Sequence, residues 1–231
     1  HSLEGGTLIA RGARQGGRLS WVSPSVVQVG ESGTLARMAT ALLARTDRIR
    51  IGHMVLCNQF RHPVMLAKMV TTLDHISGGR LSLGIGSGSI EDEHRRAGLP
   101  WGTFAARSAQ LGETLQILHQ AFSEERIHFT GEHFAVSDMP IKPGPTQQPH
   151  PPIVVGGVGE KYTLPLVARY ADMWNVPTYA LGDIEAKLAA LRKKLATATG
   201  GENYIETIWG RGYVLRDPEG ESEQERTPAE S

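Results

Sequence analysis

"PPIVVGGVGEKYTL", residues 151–164, reads as a strand that ends in glycines and turns into a helix. Two prolines precede the apolar run Ile153–Val155. Gly156, Gly157 and Gly159 follow, and a helical pattern then crosses Lys161–Tyr170. A strand delivered into a helix through a short turn is the βα unit of a parallel sheet. Glycines there leave backbone N–H groups gathered at the positive end of the helix dipole, which suits a phosphate. The spacing of GGVGEK fits neither a Walker A loop nor a dinucleotide fingerprint. Two readings stand at this turn: an anion cradle built by Gly156, Gly157, Val158 and Gly159, or a tight connection with no ligand.

Working outward, strand and helix patterns alternate. Leu19–Ser23 is a short candidate strand, and Thr34–Arg45 has helical apolar spacing. Arg48–Leu56 alternates in the manner of a strand. Pro63–Ile76 is a helix with proline in its first turn and Gly78-Gly79 at its end. Arg80–Gly86 is a strand, Arg107–Phe122 a strong helix, and RIHFTGEHFAV a hairpin-like stretch. A Pro-rich connector leads back to residues 151–164, after which ADMWNVP reads as one more strand. The alternation predicts a parallel sheet with covering helices, either doubly wound or a (β/α) barrel. About five strands are visible of the eight a barrel needs.

The pattern changes after Leu181. Asp183–Ala198 is a charged amphipathic helix, NYIETIWGRGYVL reads as a hairpin turning at Gly210-Arg211-Gly212, and the acidic end of the chain has the composition of a disordered tail.

Two further loops follow candidate strands. GIGSGSIEDEH, Gly84–His94, offers small residues that let a flat ring approach the backbone, the hydroxyls of Ser87 and Ser89, and the polar groups of Asp92, Glu93 and His94. The competing reading is ordinary Ser-Gly loop chemistry followed by acidic residues that complement a helix dipole. VLCNQFRHP, Val55–Pro63, places Cys57, Asn58, Arg61 and His62 after a strand. A Cys57–His62 nucleophile pair is disfavoured, because a small thiol at the end of an apolar strand is more commonly buried and inert, and His62-Pro63 suits a helix start. All three loops fall at strand C-termini, the face that carries ligands in α/β sheets and barrels.

The bulk properties exclude several classes. The 231 residues carry 24 Lys+Arg against 24 Asp+Glu, so no net field favours nucleic acid or an anionic membrane. A single cysteine excludes an internal disulfide and suits a reducing, cytoplasmic compartment. No His/carboxylate set has metal spacing, no apolar run approaches the roughly 20 residues of a membrane span, and the first residues lack a signal-peptide core.

The stretches RHPVMLAKMVTTLDHISGGRLSLGIGSG, EDEHRRAGLP, RSAQLGETLQIL, FTGEHFAV and HPPIVVGGVGEKYTLPLVARYADMWN together resemble the luciferase-like monooxygenase superfamily. More narrowly, they resemble its branch dependent on the deazaflavin coenzyme F420, from about Thr34 to Pro177 and more weakly back to Leu8. The resemblance implies a (β/α)8 TIM barrel, commonly a homodimer, that transfers a hydride between a small organic substrate and F420. FMN, in a monooxygenase, is the alternative coenzyme. It implies a ring packed on Val55, Leu56, Cys57 and Asn58, often over a non-proline cis peptide, with Ser87-Gly88 at its border and the Gly156–Gly159 turn at its phosphate. Pro24-Ser25 and Ser89 stand where relatives carry an Asp-His pair and an acid, so the catalytic acid/base is unassigned.

The stretch Leu191–Glu219 resembles instead the end of OmpR/PhoB-type (CtrA-like) response regulators. There Arg192, Lys193, Lys194 and Arg211 would face DNA phosphates. The expected organisation is an incomplete luciferase-like α/β barrel over residues 1–181, a helix and β-hairpin appendage over 182–217, and a disordered tail over 218–231. A DNA-binding remnant and an inactive fusion are the competing readings.

Overall fold

The computed structural model describes residues 8–12, 20–22, 32–199, 205–208 and 212–215. Pro24-Ser25, Gly200-Gly201, Arg211 and the 218–231 tail lie outside them. The parallel strands of the central sheet follow chain order, behind an antiparallel pair at the leading edge. β1 (Leu8–Gly12) and β2 (Ser20–Val22) come first, then β3 (Ile49–Gly52) and β4 (Leu56–Cys57), then β5 (Leu81–Gly86). After a separate hairpin, β6 (Arg126–Thr130) with β7 (Ala135–Pro140), come β8 (Ile153–Gly156) and β9 (Met173–Asn175). β3 and β4 both pair with β5, β5 pairs with β8 and β8 with β9, all parallel.

That order decides between the two architectures. A doubly wound sheet reverses its strand order at a switch point. Here the parallel strands succeed one another without reversal, as in an arc of a (β/α) barrel. The strand expected at Leu19–Ser23 exists as β2, but it is not a barrel strand. It pairs antiparallel with β1, and β1 lies antiparallel against β3 at the leading edge. The strand expected over Arg48–Leu56 is divided in two, with a cis Met54–Val55 peptide between its halves.

Helices cover the outer face. α1 is Ser32–Arg45, α2 Pro63–Ser77, α3 Glu91–Arg96, α4 Phe104–Ser123 and α5 Thr163–Tyr170. α3 is the exception: it sits at the C-terminal ends of β4 and β5. α2 starts where the sequence suggests: His62 is its N-cap, its ring Nδ1 accepting from Val64 N at 3.3 Å, with Pro63 in the first turn. Thr103 caps α4 in the same way, its hydroxyl accepting from Ala106 N at 3.1 Å. Ile51, Leu56, Leu81, Leu83, Ile85, Ile153 and Val155 from the strands pack with Leu111, Leu115, Ile117 and Leu118 of α4 in one core. Full burial of each such side chain contributes roughly 1.5–3 kcal/mol.

Two polar residues of the DHISGGR stretch brace this core. The Asp74 carboxylate is fully buried and accepts from Thr146 N (2.6 Å), Gln147 N (2.9 Å) and Gln147 Nε2 (2.7 Å). It thereby holds the Pro-rich connector against the sheet. Arg80 donates to Ile49 O at 2.9 Å and to Leu43 O at 2.8 Å, joining the end of α1 to β3.

α6 (Ile184–Thr199) follows β9. Its Leu188, Leu191 and Leu195 are buried in the same core cluster, and the helix packs against α5. α6 thus lies beside α5 in the outer layer of the barrel arc. β10 (Ile205–Ile208) and β11 (Gly212–Leu215) pair with each other antiparallel, and the residues between them lie outside the described ones.

Candidate functional site

Parallel register aligns the strand ends into rows. The last row reads Cys57 (β4), Gly86 (β5), Gly156 (β8), Asn175 (β9). The row before it reads Leu56, Ile85, Val155, Trp174. Successive residues of a strand face opposite sides. Leu56, Ile85 and Val155 are core residues, so that row faces the helices, and the row of small and polar residues lines the concave face. Gly84, two residues before Gly86, shares its face.

What fills the bare face is the backbone between β3 and β4. A Cβ on Gly84 would lie 1.7 Å from His53 O, one on Gly86 3.0 Å from Val55 Cγ2, and one on Gly156 2.7 Å from Val55 Cγ2. The His53–Val55 bulge thus leans across β5 and β8: its backbone at His53 meets Gly84, and the Val55 side chain rests on Gly86 and Gly156, an approach that only glycines permit. Val55 as a residue is half-buried. Asn175 borders the bulge on the far side, its Oδ1 3.4 Å from the position a Cβ on Gly156 would take and its Nδ2 3.9 Å from Met54 Sδ.

Polar atoms are stranded beside this bulge. His53 is 4% exposed, Asn58 is 2% exposed, and neither ring nitrogen of the one nor either amide atom of the other has a hydrogen-bond partner. Burial, and then the charge of Arg61, push the His53 pKa down to about 4, so the ring is neutral at physiological pH. Burial pushes the Cys57 thiol up, so it is protonated there and not a thiolate nucleophile.

Ser87 and Gly88 lie next to Cys57. Arg107 Nε donates to Ser87 O at 3.2 Å, and the Arg107 guanidinium stacks 3.5 Å from the Trp101 ring centre. Cys57 finds a histidine, and it is His94 of α3, not His62: Sγ lies 3.5 Å from Nε2. Gln59 Oε1 lies 2.7 Å from the same nitrogen. Nothing in the local sequence pairs Gln59 with His94; that pairing spans 35 residues.

At the opening turn each glycine has its own cause. Gly156 makes room for Val55, and Gly157 has φ +121°, a region closed to side chains. Gly159 abuts the Phe104 ring, 3.0 Å from a Cβ there. Gly157 N donates to Asn175 O at 3.1 Å and so continues the β8–β9 ladder, leaving turn donors for an anion to the residues after it. Val158 stands in that position. Phe104 and Tyr162 meet edge to face at 5.8 Å, closing one side of the turn. No group of three or more His, Cys, Asp or Glu among the described residues is placed to hold a metal, and no described helix is long and apolar enough to cross a membrane.

Comparison with known proteins identifies the family. The chain is 28% identical over 156 residues to the FMNH(2)-dependent dimethylsulfone monooxygenase of Pseudomonas putida, covering 68% of this chain and 42% of that protein. It is 31% identical over 156 residues to the F420-dependent glucose-6-phosphate dehydrogenase of Amycolatopsis mediterranei, covering 65% and 45%. Among solved structures it is similar to the monooxygenase RslO1 from Streptomyces bottropensis, with a TM-score of 0.64 and 25% identity over 73% of this chain and 50% of that one. The chain thus spans about half, or less, of the length of these relatives. The family profile described as luciferase-like monooxygenase matches residues 26–228, and the chain belongs to that family.

Proposed function

We propose that this chain carries the coenzyme side of an oxidoreductase site, with the ring of coenzyme F420 lying on the Val55 bulge at the C-terminal face of the barrel arc. The observation that carries the reading is the glycine row: Gly84, Gly86 and Gly156 bring a partly exposed Val55 across two strands, giving a flat, side-chain-poor support beside Cys57 and Asn175. Flat apolar support with a few convergent polar groups is the usual form of a cofactor site. The stranded Asn58 amide fits the same reading, since a ring with carbonyl and N–H edges offers it both partners.

When bound, the coenzyme would supply the hydride chemistry, so the protein's part is binding and orientation. Val55 sets the level of the ring while Leu56, turned into the core on the other face, anchors the strand beneath it. Cys57 and Asn58 border the ring, and Ser87-Gly88 fixes its edge. The turn after Gly157, at Val158 and Gly159, faces the phosphate with N–H groups at the α5 N-terminus. The small-molecule substrate would lie on the open side of the ring. FMN is the second reading, favoured by the FMNH(2)-dependent relative.

Titration of purified protein with F420 and with FMN, each followed by fluorescence, tests the proposal. Saturable F420 binding is expected. Saturation by FMN alone moves the site to the monooxygenase reading, and binding of neither refutes both. The regulator-like tail has no part in the proposal: α6 meets the barrel through its leucines, with Arg192 and Lys193 exposed. A gel shift at low salt tests duplex binding separately, and salt-sensitive retardation would favour the DNA-binding reading.

A further inference from the structure

We propose that His94 is the positioning residue of the coenzyme loop: it fixes the height of Ser87-Gly88 over the ring site by tying the segment after β4 to the helix after β5. The inference rests on the coenzyme reading above.

His94 is 1% exposed, yet it is not a simple core filler. Its Nδ1 lies 3.0 Å from Ile90 O, one turn back along α3, and its Nε2 lies 2.7 Å from Gln59 Oε1. A buried polar ring is costly unless its nitrogens are engaged: a neutral ring donates from Nδ1 to Ile90 O and accepts at Nε2, where the Cys57 thiol 3.5 Å away, or the Gln59 amide turned NH2 first, is the donor. An apolar ring of similar size would fill the same space between Phe60, 5.0 Å away, and Trp101, 4.7 Å away. The polar contacts add what packing alone lacks, a fixed distance between two loops that flank the bulge.

Gly88 rests directly on this joint. A Cβ at Gly88 would lie 3.0 Å from Cys57 Sγ and 3.2 Å from His94 Cε1. From the other side Arg107 holds Ser87 O, and Arg107 itself stacks on Trp101, the ring that packs against His94. The loop is therefore clamped between a histidine-centred joint and an arginine, and the joint reaches Cys57 in the last row of the sheet. Loosening His94 frees Gly88 to move and uncovers the Cys57 sulfur.

Cys57 is the chain's one cysteine, so a thiol reagent reports on this joint alone. Wild type, His94→Phe, which retains the ring packing, and His94→Gln, which retains polar reach, are compared in three measurements. These are the melting temperature, the rate of Cys57 reaction with Ellman's reagent in coenzyme-free protein, and the dissociation constants for F420 and FMN. Glu113→Ala, which weakens a hairpin remote from Cys57, is the control for general loss of structure. Expected results are Cys57 labelling about tenfold faster and a coenzyme dissociation constant about tenfold higher in His94→Phe, a change of about 1.4 kcal/mol in binding. Partial recovery of both is expected in His94→Gln, with labelling at the wild-type rate in Glu113→Ala. Unchanged coenzyme affinity in His94→Phe overturns the proposal, whether or not labelling accelerates. Should His94→Phe fail to fold, wild-type affinity in His94→Gln with accelerated labelling overturns it equally. Failure of the wild type to bind either coenzyme overturns the functional reading, and this inference with it, and is visible before any variant is made.

Discussion

Acidification acts on this protein through His53. Its pKa is about 4 in the fold against 6.5 in an unfolded chain, because burial removes water from the imidazolium and Arg61 repels it. A lowered folded value means that the unfolded state binds more protons between those limits. The stabilisation is complete above 6.5 and is lost as pH falls towards 4. Between pH 7.5 and pH 5 these two values give a loss of about 2 kcal/mol from this one group. Other groups titrate in the same range, so the informative quantity is a difference. Urea unfolding of wild type and His53→Leu is measured at both pH values. Wild type is expected to lose about 2 kcal/mol more than the variant on acidification. At pH 7.5 the variant is expected to be equal or more stable, since leucine replaces a buried ring with two unpartnered nitrogens. An equal acid loss in both proteins refutes the reasoning, because it would mean that His53 reaches water or a partner.

Three other perturbations test the fold, two around the barrel arc and one at the separate hairpin. Gly156→Ala puts a methyl 2.7 Å from Val55 Cγ2 and is expected to cost roughly 1–3 kcal/mol, with Val55→Ala relieving part of that cost in a double-mutant cycle by urea unfolding. Asp74→Ala leaves three donors of the 146–147 segment without their acceptor and is expected to cost roughly 4 kcal/mol, read as a lower urea midpoint. Glu113→Ala removes the carboxylate that accepts from Glu132 N, His133 N and Phe134 N at the turn of the β6–β7 hairpin. It is expected to cost about 1–2 kcal/mol and to raise amide exchange at those three residues.

Local rules account for much of this chain. Pro63 and His62 begin α2 where proline and a capping side chain predict. The strand Leu81–Gly86 and the glycine turn after Ile153–Val155 fall where the periodicity places them. The division of Arg48–Leu56 was not legible, because the cause is the pair of glycines on β5 that admit a bulge, and β5 is remote in sequence. One signal was present: Gly84 and Gly86 are two apart in a strand, which marks one bare face. The antiparallel pairing of β2 is illegible for a similar reason, since an isolated apolar run carries no information on whether its neighbour runs parallel or antiparallel.

The sequence by itself determined the alternation of strands and helices, the three permissive loops at strand C-termini and the family. Those features depend on spacing within one element or one turn, and spacing is written in the chain. Only the tertiary structure decided the uninterrupted strand order and the row Cys57–Gly86–Gly156–Asn175. It also turned Cys57 towards His94 rather than His62. Each of these depends on which strands become neighbours and in what register, and register is fixed by burial of the whole apolar face at once.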